Sequence, residues 1–279
     1  MTDTKILNRP AFIHVGPQRC GTTTLYRVLS RNGIVPTDVK EIQFFDRNYK
    51  NGIQWYLRHF DKFDSDAIVG EVCPTYFMNP SAVERIYKHL PEIKIICTLR
   101  DPLSRTISYY RLLRMYNQCP KGLEKAWELD GHLRNCSMYT RALENWIKRY
   151  QNKIKILVFD DLINNPNEYM NEFLRFIGIH SLEYSSANIP GPKKEAIPKF
   201  PILNHHAANI GFFLRNRGHY RLLEILRAIF RPMIFNLGKS QNEIEVTELI
   251  KEKIRAHYRS DIIKLEKILG RSLGHWYLS

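Results

Sequence analysis

The sequence predicts an α/β fold: a P-loop-like central parallel sheet flanked by helices, with a helical C-terminal region. Three observations predict it. An apolar run over residues 11–16 enters a loop bounded by Gly16 and Gly21, and a helical pattern begins at Thr22. Strand-like and helix-like segments alternate four times before residue 178 with short joints, as in parallel strands connected by crossover helices. Residues 94–99 (Lys-Ile-Ile-Cys-Thr-Leu) form a near-continuous apolar run, the pattern of a strand buried on both faces. A length of 279 residues and a hydrophobic content of 44% suit one domain over 1–279, with its core at 11–180 and a basic loop and helical part at 181–279.

The first strand leads to a helix at 22–32, with Leu25, Val28 and Leu29 on one face and Asn32-Gly33 closing it. Residues 34–37 are a short extended piece. Residues 40–46 set Glu41 beside Phe44 and Phe45 and read in two ways. One is a strand that sends the Phe pair inward and leaves Glu41 solvated. The other is a carboxylate at the C-terminal edge of the sheet, where open α/β sheets bind ligands. Residues 48–60 hold Tyr49, Trp55, Tyr56 and Phe60, either a short core helix or a sugar-stacking surface. A second strand spans 67–71. A helix spans 81–89, with Ser81 as N-cap and Glu84 as its capping-box partner.

Arg100-Asp101-Pro102 follows the strand at 94–99 and opens a helix over 104–115, with Ile107, Tyr110 and Leu113 inward. Residues 117–136, with Pro120, Gly122 and Gly131, read as an insertion or mobile loop. An amphipathic helix at 138–150, a strand at 154–159 and a helix at 167–177 ended by Gly178 complete the alternation. Residues 189–200 hold Pro190, Gly191, Pro192, Lys193, Lys194 and Lys199, a lid over an anion or a solvated linker. Residues 212–237 mix large apolar side chains with Arg215, Arg217, Arg221, Arg227 and Arg231. That stretch either packs on the sheet domain or makes a peripheral membrane contact. Lys239 lies in a polar turn, and a charged helix at 243–269 carries Leu249, Ile250, Ile254, Tyr258, Ile262 and Leu265 near helical spacing.

A net charge of +14 points to anionic partners: nucleotides, sulfated glycans, acidic lipids or nucleic acid. The five cysteines are scattered, with no C-x-x-C pair and no metal-like spacing to histidine. Zinc is therefore not expected, and reduced thiols in a cytoplasm are. Residues 1–10 are polar, so no signal peptide is expected, and no apolar run reaches about 18 residues, so no membrane span is expected.

The loop at 16–21 has the glycine spacing of a P-loop, but Thr22 stands where that motif has lysine. This argues against a nucleoside triphosphate. A helix N-terminus behind two glycines still suits a phosphate or sulfate ester, with Arg19 as the cation of the loop; the plain alternative is a strand-to-helix turn. Arg100 and Ser108 flank the mouth of a strand–helix joint and offer a guanidinium fork and a hydroxyl to a phosphate. Alternatively, Arg100 pairs with Asp101 or a helix end.

Taken together, these stretches resemble the sulfotransferases that use 3′-phosphoadenosine 5′-phosphosulfate (PAPS). Pro17-Gln18-Arg19-Cys20-Gly21-Thr22-Thr23, with Thr24 behind it, is similar to the family's 5′-phosphosulfate loop. Leu-Arg-Asp-Pro-x-x-Arg-x-x-Ser, holding Arg100 and Ser108, is similar to its 3′-phosphate motif. Glu41-Ile42-Gln43-Phe44-Phe45 resembles the heparan sulfate N- and 3-O-sulfotransferase branch, in which the matching Glu is the catalytic base. The resemblance covers roughly residues 11–180.

It implies sulfuryl transfer from PAPS to a saccharide or glycolipid-type hydroxyl or amine, without a metal and without nucleic acid as partner. Gln18 to Thr24, Arg100, Ser108, Lys193 and Lys194 would hold the donor, Glu41 would be the base, and Arg19 would sit by the leaving oxygen. Three departures are visible. Arg19 replaces the family's usual lysine, so help to the leaving group should be electrostatic. Val72 follows Glu71 where the heparan branch has lysine. The late basic loop that closes over PAPS in that branch has no clean match, and Lys193, Lys194, Lys199 and Lys239 are the candidates for it. The competing classes are a P-loop kinase or phosphotransferase, which the loop spacing alone suggests, and a basic non-enzymatic module for acidic membrane or nucleic acid.

Overall fold

The structure, a computed structural model, describes residues 8–180, 201–216, 222–223, 225–226, 228–229 and 246–278. Its strands are β1 (Phe12–Gly16), β2 (Gly70–Val72), β3 (Lys94–Leu99) and β4 (Ile154–Val158). Its helices, in chain order, are α1 (Thr22–Arg31), α2 (Ile53–Leu57), α3 (Pro80–His89), α4 (Pro102–Met115), α5 (Leu123–Leu129), α6 (Gly131–Asn135), α7 (Thr140–Tyr150), α8 (Phe159–Asn164), α9 (Pro166–Ile177), α10 (Pro201–Asn216) and α11 (Glu248–Leu269). The chain divides into two compact units, Met1–Asp101 with Tyr139–Gly191 and Pro102–Met138 with Pro192–Ser279.

The first unit holds the sheet. All its pairings are parallel, in the order β2-β1-β3-β4. From β1 the chain crosses to β2 on one side and returns to β3 on the other. The direction therefore reverses between β1 and β3, and ligands of open α/β sheets sit outside the strand C-termini at such a point. One face of the sheet, through Phe12, Ile96 and Leu157, packs with Leu25, Val28 and Leu29 of α1 and with Phe173, Leu174 and Ile177 of α9. Fully burying each such side chain contributes about 1.5–3 kcal/mol. The expected face of α1 is the buried one.

Two elements of this unit differ from expectation. Asn79, not Ser81, caps α3: its carboxamide oxygen accepts from the Ser81 and Ala82 N–H groups. Pro80 takes the first helical position, where a missing N–H is harmless. Residues 40–46 are not a strand; Phe44–Asn48 wind into one wide helical turn. Both Phe rings are fully buried, with Phe44 stacked on Tyr56 at 5.2 Å and Phe45 edge-on to Tyr56 and Tyr76. The aromatics Phe44, Phe45, Tyr56 and Phe60 are thus core, not a sugar platform.

The second unit is helical. Ile250, Ile254, Tyr258, Ile262 and Leu265 of α11 are buried, whereas Leu249 is 77% exposed, because one residue turns a helix by about 100°. The Thr106 and Tyr258 hydroxyls lie 3.0 Å apart and join α4 to α11. Arg105 of α4 is buried and donates to the Cys136 carbonyl and to Ser137 Oγ at 3.1 Å. Residues 117–136 are not a loop: they contain α5 and α6, with Leu123, Trp127 and Leu133 buried and Asp130 capping α6. Here the glycines stand at helix starts, at Gly122 before α5 and Gly131 opening α6. Among the described residues no helix is long and apolar enough to cross a membrane. The basic stretch at 189–200, and with it Lys193, Lys194 and Lys199, lies outside the described residues, as does Lys239.

Candidate active site

The site begins where β1 ends. Gly16 has φ +104°, and a Cβ there would lie 2.6 Å from Pro74 Cα, so only glycine lets the two backbones pass. Gly21 has φ +80°, and its Cβ would lie 2.7 Å from the Phe159 ring. Between them Arg19 holds a left-handed backbone (φ +71°), a conformation that non-glycine residues adopt at some energetic cost. The loop delivers the chain to α1, whose first turn carries no acid. Its leading N–H groups and the positive end of its dipole are therefore left for an anion.

Around that helix start, Thr22 is buried, Thr23 exposed, and Thr24 and Gln18 half-buried. Cys20 is buried with its thiol 3.8 Å from the Gln18 carbonyl, so this residue has only backbone to offer a ligand. Arg100 leaves the end of β3, beside β1 in the sheet. Its Nη1 donates to the Arg19 carbonyl at 3.0 Å, its guanidinium lies 4.7 Å from the Phe159 ring centre, and its own carbonyl accepts from Tyr139 Oη at 2.7 Å. One arginine thus braces the loop against the neighbouring strand. Ser108 is buried on α4, in the second unit.

Glu41 lies in the segment between α1 and the turn at Phe44–Asn48, with its side chain 18% exposed. Lys40 Nζ donates to Glu41 Oε1 at 2.9 Å and to Thr23 Oγ1 at 3.1 Å, so this ammonium joins the acid to the cradle helix. Gln43, also left-handed at φ +54°, approaches Glu41 Oε2 at 3.5 Å. The segment is fixed from beneath. Ile42 N–H donates to Glu71 Oε1 at 3.1 Å, Asn48 Nδ2 to the Ile42 carbonyl at 3.0 Å, and Arg85 Nη1 to the Phe45 carbonyl at 2.9 Å.

Glu71, at the middle of β2, is fully buried and also accepts from Tyr56 Oη at 3.0 Å and Tyr76 Oη at 3.1 Å. Burial pushes its carboxyl up to about 7 against the pull of those donors. Burial likewise raises Asp46 and drives the Tyr56 and Tyr76 hydroxyls well above their ordinary range. Sequence reasoning missed Lys40 and Glu71 as parts of the site. Lys40 is one residue from the chosen acid, and Glu71 is a lone acid in an otherwise apolar strand; neither pattern states a role without its partners.

Residues 9–206 match a family model described as a sulfotransferase domain, a span that includes the cradle, Glu41, Arg100 and Ser108. The chain belongs to the sulfotransferase family. A 110-residue stretch, 38% of this chain, is 38% identical to 23% of the membrane-associated sulfotransferase kil1 of Dictyostelium discoideum. Over 216 residues it is 28% identical to the bifunctional heparan sulfate N-deacetylase/N-sulfotransferase of Drosophila melanogaster, covering 63% of this chain and 20% of that one. Over 185 residues it is 30% identical to heparan sulfate glucosamine 3-O-sulfotransferase 5 of Mus musculus, covering 61% of this chain and 54% of that one. The chain therefore spans between about a fifth and half of the length of these relatives. A sulfotransferase from Alicyclobacillus acidocaldarius shares the sulfotransferase fold, with a TM-score of 0.65 at 19% identity over 97% of this chain and 99% of that one.

Proposed function

We propose that this sulfotransferase-family chain moves the sulfuryl group of PAPS to a hydroxyl or amine of a saccharide or glycolipid-type acceptor, with Glu41 as base. The observation that carries the reading is the linkage of a water-accessible carboxylate, through Lys40, to the N-terminus of the cradle helix. An acceptor proton can be taken within a few ångströms of an anion site. The residues present suit a phosphosulfate: two glycines that let the loop pass close to Pro74 and Phe159, an acid-free helix start, and Arg19 and Arg100 beside it.

PAPS supplies the activated sulfuryl group. The protein's share is positioning, charge stabilisation and proton removal. The backbone from Gln18 to Thr24 orients the 5′ end, and Arg19 offsets charge on the leaving oxygen without giving up a proton. Arg100 grips the 3′-phosphate. For Ser108 as a further donor contact the motif resemblance is the support; for Lys193 and Lys194 it is only their place in a basic stretch late in the chain. The named acceptors of the relatives support a saccharide, while Val72 in place of the lysine after Glu71 supports an acceptor other than heparan sulfate. Five free thiols support a reducing, cytoplasmic setting.

Calorimetric titration tests the donor. Adenosine 3′,5′-bisphosphate (PAP) should bind tightly without metal, and 5′-AMP and Mg-ATP weakly. A preference for Mg-ATP would favour a phosphotransferase, and no nucleotide binding would leave the basic non-enzymatic module. A transfer assay with PAPS over a panel of saccharides and glycolipids then identifies the acceptor.

A second reading concerns residues 212–237, where Phe213, Leu222, Ile225 and Ile229 are each about half exposed. The same stretch has one acid, Glu224, against Arg215, Arg217, Arg221, Arg227 and Arg231. We propose that it touches an anionic bilayer surface peripherally.

A further inference from the structure

The cradle has an electrostatic peculiarity that Arg19 does not account for. An ammonium near the N-terminus of a helix lies at the positive end of the helix dipole, where cations are disfavoured. Lys40 Nζ nevertheless lies 3.1 Å from the hydroxyl of Thr23, in the first turn of α1. That turn holds no acid, and Lys40 pairs with the carboxylate of Glu41 at 2.9 Å. The Lys40 side chain is 35% exposed, so an incoming anion can reach it. Arg100 adds a further positive charge on the loop through the Arg19 carbonyl. Such a gathering of cations at a helix start is balanced when a polyanion is present.

We propose that Lys40 is a second cation of the donor site, holding the 5′-phosphate end of the nucleotide against α1. It would supply, from a different segment, the ammonium that the resembling family's loop usually carries where this chain has Arg19. An ammonium and a guanidinium differ here in kind. The first is a compact charge with three freely rotating donors, and the second is a planar fork. With Arg19 in the loop and Lys40 bonded to Thr23 of α1, the cradle has both kinds of cation to offer a tetrahedral anion. The proposal rests on the PAPS reading above, since it needs a nucleotide with a charged 5′ group.

The test compares PAP with adenosine 3′-phosphate, which lacks the 5′ group, by calorimetry on the full chain. Wild-type protein should prefer PAP. In Lys40→Met that preference should shrink by about tenfold, as expected for the loss of one charge-assisted contact, with affinity for adenosine 3′-phosphate unchanged. Lys40→Arg should keep most of the preference, and thermal melts should show both variants folded. A PAP preference in Lys40→Met equal to that of wild type overturns the role of Lys40 and leaves the donor reading standing. Failure of wild-type protein to bind PAP overturns both.

Discussion

Glu41 and Glu71 are separated by the access of water. Glu41 keeps part of its carboxylate at the surface beside the cradle, while Glu71 is sealed beneath it and spends its oxygens on Ile42, Tyr56 and Tyr76. Glu41→Gln should lower kcat by about 10²–10⁴-fold, the usual worth of a general base, without loss of PAP affinity. Activity retained in that variant, measured by sulfate transfer, would remove Glu41 from the role. Glu71 has the opposite signature, because its folded-state value of about 7 lies above the ordinary 4.5. Its contribution to folding is then fully present below pH 4.5 and is lost as pH rises through 7, by up to about 3 kcal/mol. Glu71→Gln keeps an acceptor for Ile42 N–H and removes that titration. Its melting temperature relative to wild type should therefore be higher at pH 8 than at pH 5, and a pH-independent difference would contradict the raised value. If the guanidinium grips the 3′-phosphate as proposed, Arg100→Ala should weaken PAP by about 1.5–3 kcal/mol and 5′-AMP by less. Equal losses in calorimetry would mean that Arg100 serves only to brace the Arg19 carbonyl.

At the scale of elements, the cradle depends on how tightly the loop and α8 approach. Gly21→Ala puts a methyl 2.7 Å from the Phe159 ring and demands a left-handed alanine, which costs roughly 1–2 kcal/mol before any clash. Because Phe159 also packs on Arg100, the variant should both melt lower and bind PAP more weakly. Unchanged PAP binding at a lowered melting temperature would separate loop strain from site geometry. The β1–loop–α1 unit was legible in the sequence because its determinants are local: an apolar strand, two glycines, and Leu25, Val28 and Leu29 on one helical face. The turn at Phe44–Asn48 was not. Adjacent Phe residues on a strand would face opposite ways, yet here both are buried, because aromatic partners arrive from α2 and from Tyr76. Likewise Gly122 and Gly131 suggested a loop, although the side chains between them bury Leu123 and Trp127 in helices.

For the whole molecule, the net charge of +14 favours anions everywhere, so specificity has to come from geometry. The exposed apolar residues Leu222, Ile225 and Ile229, set among arginines in the sequence, are the basis of the proposed membrane contact. In a flotation assay the protein should bind vesicles containing phosphatidylserine, bind neutral ones weakly, and lose binding as salt rises. Ile225→Asp with Ile229→Asp should lower binding severalfold, with PAP affinity untouched. Flotation unaffected by those changes would remove the membrane contact. By itself the sequence determined the parallel alternation of strands and helices in the sheet unit and the glycine-bounded cradle, because each rests on the identity and spacing of near neighbours in the chain, whereas Glu41 and Arg100 were singled out through the resemblance to a family. Only the tertiary structure decided that β1 and β3 lie side by side at the reversal of strand order. That adjacency carries Arg100 to the Arg19 carbonyl, while the path of the chain from α1 to β2 brings Lys40 to Thr23 and Glu71 to Ile42. Those contacts join residues between 17 and 81 positions apart, and no local pattern encodes which distant partner will satisfy a buried donor or charge.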